Sequence, residues 1–231
     1  MKHLHIIAEG QTEEEFVRKV LTPHLAGFGV YVVCQRVHTG GTKTHPIKGG
    51  LGRVPKYRPI SRALERWVEA DRNREDVYYS TMLDLYAFPK DSESPYTEEI
   101  RSVQDEYVKI ERLEAAMSEK HQNPRFIPYV QLHEFETLML ADLDRLKIMY
   151  PDRKTYIDRL KREIGDANIE LINGGQNTAP SKRIIVATPD YEDQKSSVGP
   201  IVVEDIGIHT IKEKCRHFDE WVTRLEELGV D

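Results

Sequence analysis

LHIIAEGQTEEEF, residues Leu4 to Phe16, sets a short apolar run, Leu4 to Ala8, directly before Glu9 and Gly10 and then an acidic segment opened by Thr12. Five apolar-dominated residues suit a buried strand. Gly10 permits a tight turn or a close backbone approach. Thr12 and Glu15 have the spacing of a capping box, so a helix is expected with Thr12 as its N-cap. Strand, turn and helix in that order place Glu9 at the carboxyl end of a strand. In open α/β sheets that edge is where ligands bind.

Outward from this stretch, the pattern repeats. Phe16, Val17, Val20 and Leu21 form a helical stripe that should end near Pro23. Val30–Val37 reads as a second strand and Ile60–Arg74 as a helix. Val77–Leu85 reads as a third strand ending in Asp84. Thr97–Lys120 carries Ile100, Val103, Tyr107, Ile110, Leu113 and Met117 at helical spacing. Arg125–Leu132 reads as a fourth strand, edge-placed or bulged because of Pro128. His133 to Ala141 should open a further helix. Alternating strands and helices predict an α/β fold with a Rossmann-like core and a parallel-dominated sheet of about four strands. From residue 143 the pattern shifts to short helices near Asp152–Ile164, Ser181–Ala187 and Phe218–Leu228. Residues 1–142 are therefore expected to form the α/β core and residues 143–231 a helical extension packed on it.

Three strands end in acids: Glu9, Asp84, and Glu134 with Glu136. Parallel strands bring such ends to one rim, where close carboxylates repel unless a cation neutralises them. Oxygen ligands of this kind select Mg2+ or Mn2+, which activate water and stabilise a leaving oxygen in phosphodiester cleavage. Each acid also has a plain structural reading. Glu13, Glu14 and Glu15 suit the first turn of a helix, where the dipole favours negative charge. Asp84 suits the start of a turn, and one of Glu134 and Glu136 suits an exposed helix start.

Charge is unevenly spread. Phe16 to Leu64 contains no Asp or Glu but holds Arg18, Lys19, Arg36, Lys43, Lys48, Arg53, Lys56, Arg58 and Arg62. Such a stretch attracts phosphates, or serves as a solvated surface that balances acidic helices elsewhere. Residues 40–59 form a long Gly- and Pro-rich loop, of a kind that is usually functional or mobile.

Several classes are excluded. Gly41-Thr42-Lys43-Thr44 lacks the order of a Walker site. His133-Glu134 is followed by Thr137 where a zinc protease needs histidine, and the chain has no nucleophile elbow around serine. No run approaches the roughly 18 apolar residues of a membrane helix, and the N-terminus shows no signal-peptide pattern. Two cysteines in 231 residues, Cys34 and Cys215, form no metal-type pair, so a cytoplasmic location is expected. The net charge of −6 argues against a broad duplex-binding surface but leaves room for a local one.

Glu9-Gly10-Gln11-Thr12-Glu13 resembles the EGxTE signature of Toprim-like proteins, a fold shared by topoisomerases, primases and overcoming-lysogenization-defect (OLD) nucleases. Met82–Pro89, Gln131–Asp142, Ala179–Arg183 and Cys215–Leu228 extend the resemblance, over nearly the whole chain, to an uncharacterised bacterial Toprim-like family. The resemblance implies a Rossmann-like Toprim core with magnesium held by Glu9 and Asp84, and Glu13 as an additional acid. Toprim proteins usually carry DxD, whereas Asp84-Leu85-Tyr86 places tyrosine in the second acidic position. Glu134 or Glu136 is then the candidate for the missing carboxylate. Lys182 and Arg183 are candidate phosphate contacts by resemblance and charge together.

The first expectation is thus an Mg2+- or Mn2+-dependent phosphodiester-cleaving enzyme, a nuclease. Glu9, Asp84 and Glu134 are its metal ligands, Glu13 and Glu136 complete its catalytic acids, and Lys43, Lys48, Arg53, Lys182 and Arg183 steady phosphates. The alternatives are a non-catalytic module that binds nucleic acid or a partner ATPase in a defence or DNA-repair system, and a phosphatase or nucleotide-handling enzyme.

Overall fold

β1 (Lys2–Ala8) alternates sides along its length: Leu4 and Ile6 enter one apolar cluster, Ile7 another. It is the central strand. It pairs in parallel with β2 (Val30–Arg36) on one side and β3 (Val77–Asp84) on the other. Two further short strands, β4 (Phe126–Ile127) and β5 (Val130–Gln131), both pair in parallel with β3. The order is β2-β1-β3-β4, with β5 beside β3. The computed structural model describes residues 1–37, 55–172 and 178–230. The α/β architecture with a parallel sheet is as expected, and Pro128 divides the fourth expected strand into β4 and β5 at the sheet's edge.

Helices cover both faces. α1 (Gln11–Phe16), a π-helical turn at Val17–Leu21 and α2 (Thr22–Ala26) carry the chain from β1 to β2. α3 (Arg58–Ala70) precedes β3; α4 (Glu98–Arg101) and α5 (Glu106–His121) follow it. After β5 come α6 (Glu136–Met139), α7 (Leu143–Met149), α8 (Lys154–Ile164), α9 (Pro180–Ala187), α10 (Tyr191–Ile206), α11 (Ile208–Lys214) and α12 (Arg216–Glu227). Ile7, Tyr79 and Leu83 pack with Leu64, Ile110 and Leu113 of α3 and α5. On the other face, Leu4, Ile6 and Val32 pack with Phe16, Val202 and Phe218. That second cluster runs across residue 143 and joins the C-terminal helices to the sheet.

Glu170 fastens α12. Fully buried, it accepts hydrogen bonds from the His217 amide (3.0 Å), the Phe218 amide (3.1 Å) and the Tyr107 hydroxyl (2.9 Å). The two amides belong to the first turn of α12, which lacks a side-chain cap of its own. Tyr129 stacks on Trp221 with ring centroids 4.0 Å apart, and Trp221 donates to Ser80 of β3 at 3.0 Å.

Several boundaries differ from expectation. Thr12 is not an N-cap. Gly10 takes that position in extended backbone, and the Glu13 carboxylate closes back on its amide, while Glu15 pairs with Arg18 and Lys19. The helix does not stop at Pro23, because the π turn widens the backbone just before it and the Thr22 hydroxyl satisfies the Val17 carbonyl at 2.7 Å. The long helix expected over 97–120 breaks in two, since Asp105 caps a new start by accepting from the amides of Tyr107 and Val108. His133 holds a left-handed backbone (φ 64°), so α6 opens only at Glu136. α8, α9 and α12 correspond to the expected late helices; α7, α10 and α11 were not expected.

Candidate functional site

The sheet reverses its winding direction between β1 and β3: the chain leaves β1 for β2 on one flank, then crosses to β3 on the other. Crossover helices therefore diverge at this point and leave a crevice at the strands' carboxyl ends, the usual ligand position in such sheets. Glu9 follows β1 and Asp84 ends β3, on either side of the crevice. They are tied directly: the Asp84 amide donates to Glu9 Oε2 at 2.8 Å.

Three more acids converge here. Asp84 lies within the field of Glu13, Glu9, Glu136 and Glu134 together. Glu13 Oε2 accepts from the Gly10 amide at 2.8 Å. Glu134 Oε2 accepts from the Ser181 amide at 2.9 Å, at the start of α9. Glu136 Oε1 is met by Lys195 Nζ at 3.0 Å and the Tyr191 hydroxyl at 3.2 Å, both from α10. α10 approaches this closely through Gly199, where a Cβ would lie 3.4 Å or less from Thr12, Phe135 and the Tyr191 hydroxyl.

Burial and mutual repulsion raise the proton affinity of the cluster. Glu9 is pushed up to about 7 by burial, against the opposing bond from the Asp84 amide. Glu13 rises to about 8 through burial first, then the charges of Glu9 and Glu136. Asp84 is carried well above the carboxylate range by burial and its four acidic neighbours, and its buried Oδ1 has no hydrogen-bond partner among the described residues. Burial also raises Glu136, moderated by Lys195. Among the described residues, no group of three or more Asp, Glu, His or Cys side chains is already disposed to hold a metal ion. The physical reason lies in the bonds above: Glu9, Glu13 and Glu134 each turn an oxygen onto a backbone amide, and Glu136 turns one onto Lys195.

The cradle requires glycine at position 10. A Cβ there would stand 2.8 Å from Glu13 Oε2. Gly10→Ala should therefore push the carboxylate off the Gly10 amide, whose bond favours the ionised form. The expected result is a Glu13 titration moved to still higher pH, read from its carboxyl resonance by NMR. An unchanged midpoint would contradict this geometry.

All five expected catalytic acids thus meet at one rim. Tyr86, in the second position of the DxD-like triplet, is exposed, with its amide bonded to the His133 carbonyl at 3.0 Å. Of the expected phosphate contacts, Lys43, Lys48 and Arg53 lie outside the described residues. Lys182 is exposed, next to Ser181, whose amide holds Glu134. Arg183 bonds instead to the Thr178 carbonyl at 2.7 Å. Lys195 and Tyr191 were missed in the sequence. Their four-residue spacing, continued by Gly199, marks one face of a helix, but Ser196-Ser197-Val198-Gly199-Pro200 reads as a loop.

A family model described as a domain of unknown function, DUF4276, matches residues 8–226. No curated protein and no solved structure matches the chain. Among the described residues, no helix is long and apolar enough to cross a membrane.

Proposed function

We propose a function from geometry, because this chain belongs to the DUF4276 family, a domain of unknown function: a divalent-cation-dependent phosphodiester hydrolase acting on nucleic acid. The supporting observation is the buried Asp84 Oδ1, which has no hydrogen-bond partner among the described residues and sits amid four other carboxylates at the switch point of a parallel sheet. A hard divalent ion answers both the repulsion and the missing partner. The chemistry of the donors suits such an ion, but Glu9 and Glu134 would have to turn oxygens that are held on backbone amides. Glu9, Asp84 and Glu134 would hold it, and Mg2+ or Mn2+ would supply an activated water and charge stabilisation at the phosphorus oxygens. The resemblance to Toprim-like proteins points the same way.

The chain's own residues divide the remaining work. Glu13 keeps Oε2 on the Gly10 amide and has its proton affinity raised to about 8. That value belongs to the metal-free rim; beside a divalent ion the ionised carboxylate is favoured, the form in which Glu13 would act as a general base. Lys195 balances Glu136 and keeps that carboxylate at the rim. Lys182, beside the Glu134 anchor, is placed to meet a phosphate.

The test is cleavage of single-stranded and duplex DNA and RNA by the full chain, with Mg2+ or Mn2+ against EDTA. Metal-dependent cleavage of any of these is the expected result. No cleavage of any form would reject catalysis and favour the second reading, a binding module, to which the Lys195–Glu136 pair and the amide-bound carboxylates lend support.

A further inference from the structure

α3 carries Arg58, Arg62 and Arg66 at four-residue intervals, all exposed. That spacing puts the three guanidinium groups on one ridge about 12 Å long. Among the described residues none of the three is in an ion pair; elsewhere on the surface Arg72–Glu69, Arg159–Glu163 and Arg216–Glu220 are paired, while Arg112, Arg162 and Arg224 are exposed without one. The ridge forms one wall of a cleft of about 1130 Å³, whose other wall is the end of β2 at Gln35, Arg36 and Val37. Lys56 also lines it. Among the lining residues, five cations outnumber the two acids, Glu65 and Glu69.

The cleft begins beside the acidic rim. Arg36 is the β-bridge partner of Ala8, the residue before Glu9, so about 4.8 Å of sheet separates their backbones. The Arg36 Nε lies 3.7 Å from Glu14 Oε2, too long for a hydrogen bond, and is buried with no hydrogen-bond partner among the described residues. The β2 wall of the cleft thus ends one strand from the carboxylates; the Arg36 side chain turns to the α1 face of the sheet, and the row of cations on the cleft side is Arg58, Arg62 and Arg66 of α3. Among the described residues β2 is the outermost strand, and Tyr31 and Val33 on its α3-facing side are exposed.

We infer that the cleft between β2 and α3 binds the phosphodiester backbone of a nucleic-acid strand, with Arg58, Arg62 and Arg66 meeting successive phosphates. This rests on the proposed function for the role of the rim, but the binding stands on the cleft alone. A positively charged groove that tracks the backbone is one way single strands are held independently of sequence. Phosphate contacts of this kind release counterions and make affinity fall with salt.

The experiment is fluorescence anisotropy with labelled single-stranded DNA, single-stranded RNA and duplex DNA, in EDTA, across a salt series. The full-length wild type is compared with a triple Arg58→Gln, Arg62→Gln, Arg66→Gln variant. The expected result is binding of at least one of these probes, weakened in the triple variant by at least about tenfold, with a salt slope shallower by about 2 for a single strand. The probe that responds identifies the strand type. Wild type that binds none of the probes, or a triple variant with unchanged affinity and slope, overturns the inference. Mg2+ calorimetry on both proteins separates the two claims. Retained metal binding in the variant shows that its fold is intact. A wild type that binds oligonucleotide through the arginines but takes no metal removes the proposed catalysis and keeps the cleft. If the triple variant does not fold, single Arg58→Gln, Arg62→Gln and Arg66→Gln variants are measured instead, each expected to make the slope shallower by about 0.7 for a single strand; unchanged slopes in all three overturn the inference.

Discussion

Glu9→Gln should raise the thermal midpoint of the metal-free protein at about pH 8 while ending metal binding and cleavage. The sign follows from the folded-state proton affinity. Glu9 is pushed up to about 7 from an ordinary 4.5. A carboxyl raised in the folded state stabilises the fold in its protonated form; that contribution is whole below about 4.5 and is lost as pH climbs through 7. Above that range the fold holds a buried, repelled carboxylate. The substituted side-chain amide keeps an oxygen for the Asp84 N–H and removes the charge. The gain is about 3 kcal/mol, or roughly 6–12 °C for a chain of this size. At about pH 4 the two proteins should melt alike. Asp84→Asn should behave in the same direction, since Asp84 is raised further by burial and by Glu13, Glu9, Glu136 and Glu134. Added Mg2+ should stabilise wild type at high pH and leave both variants unmoved. Calorimetric melts in EDTA and in Mg2+, with cleavage measured in parallel, check all of this. A wild type more stable than Glu9→Gln at high pH in EDTA would show that the carboxylates are structurally satisfied.

Glu170→Ala should destabilise the fold by about 3 kcal/mol, a loss of roughly 6–12 °C. It strips the partner from the buried His217 and Phe218 amides and removes the acceptor of the half-buried Tyr107 hydroxyl, which keeps its bond from Asn168. Glu170→Gln keeps one accepting oxygen and should cost clearly less. Hydrogen exchange localises the effect: the His217 and Phe218 amides should lose protection first, because α12 offers them no side-chain cap of its own. Equal melts for Glu170→Ala and wild type would mean that water replaces the carboxylate without penalty.

The acids were legible because their signal is local. A strand ending in a carboxylate can be read within a dozen residues, as at Ala8-Glu9-Gly10 and Leu83-Asp84, and alternating elements then align those ends. What pairs with the acids was not legible, because it depends on distant packing. Lys195 reaches Glu136 only because α10 lies against α1 at Gly199. The sequence there, with Gly199 and Pro200, argues against the helix that tertiary contact stabilises. The Thr12 cap failed for a similar reason: Thr12 and Glu13 offer two overlapping frames, and the buried carboxylate on Gly10 wins. Pro23 does not end the helix, because the π turn at Val17–Leu21 precedes it and leaves it in the first turn of α2, where proline fits.

Lys195 and the Ser181 amide also impose an order of events during synthesis. All five rim acids are in the growing chain once Glu136 is added, but Ser181 and Lys195, which hold Glu134 and Glu136, are added later. A growing chain therefore carries the whole negative charge before it carries the relief. The early strands can pair, yet their carboxylate ends favour exposure to water until α9 and α10 emerge and dock. The rim gains its last named partner only with α10, so a chain cut short before Lys195 lacks the cation that faces Glu136.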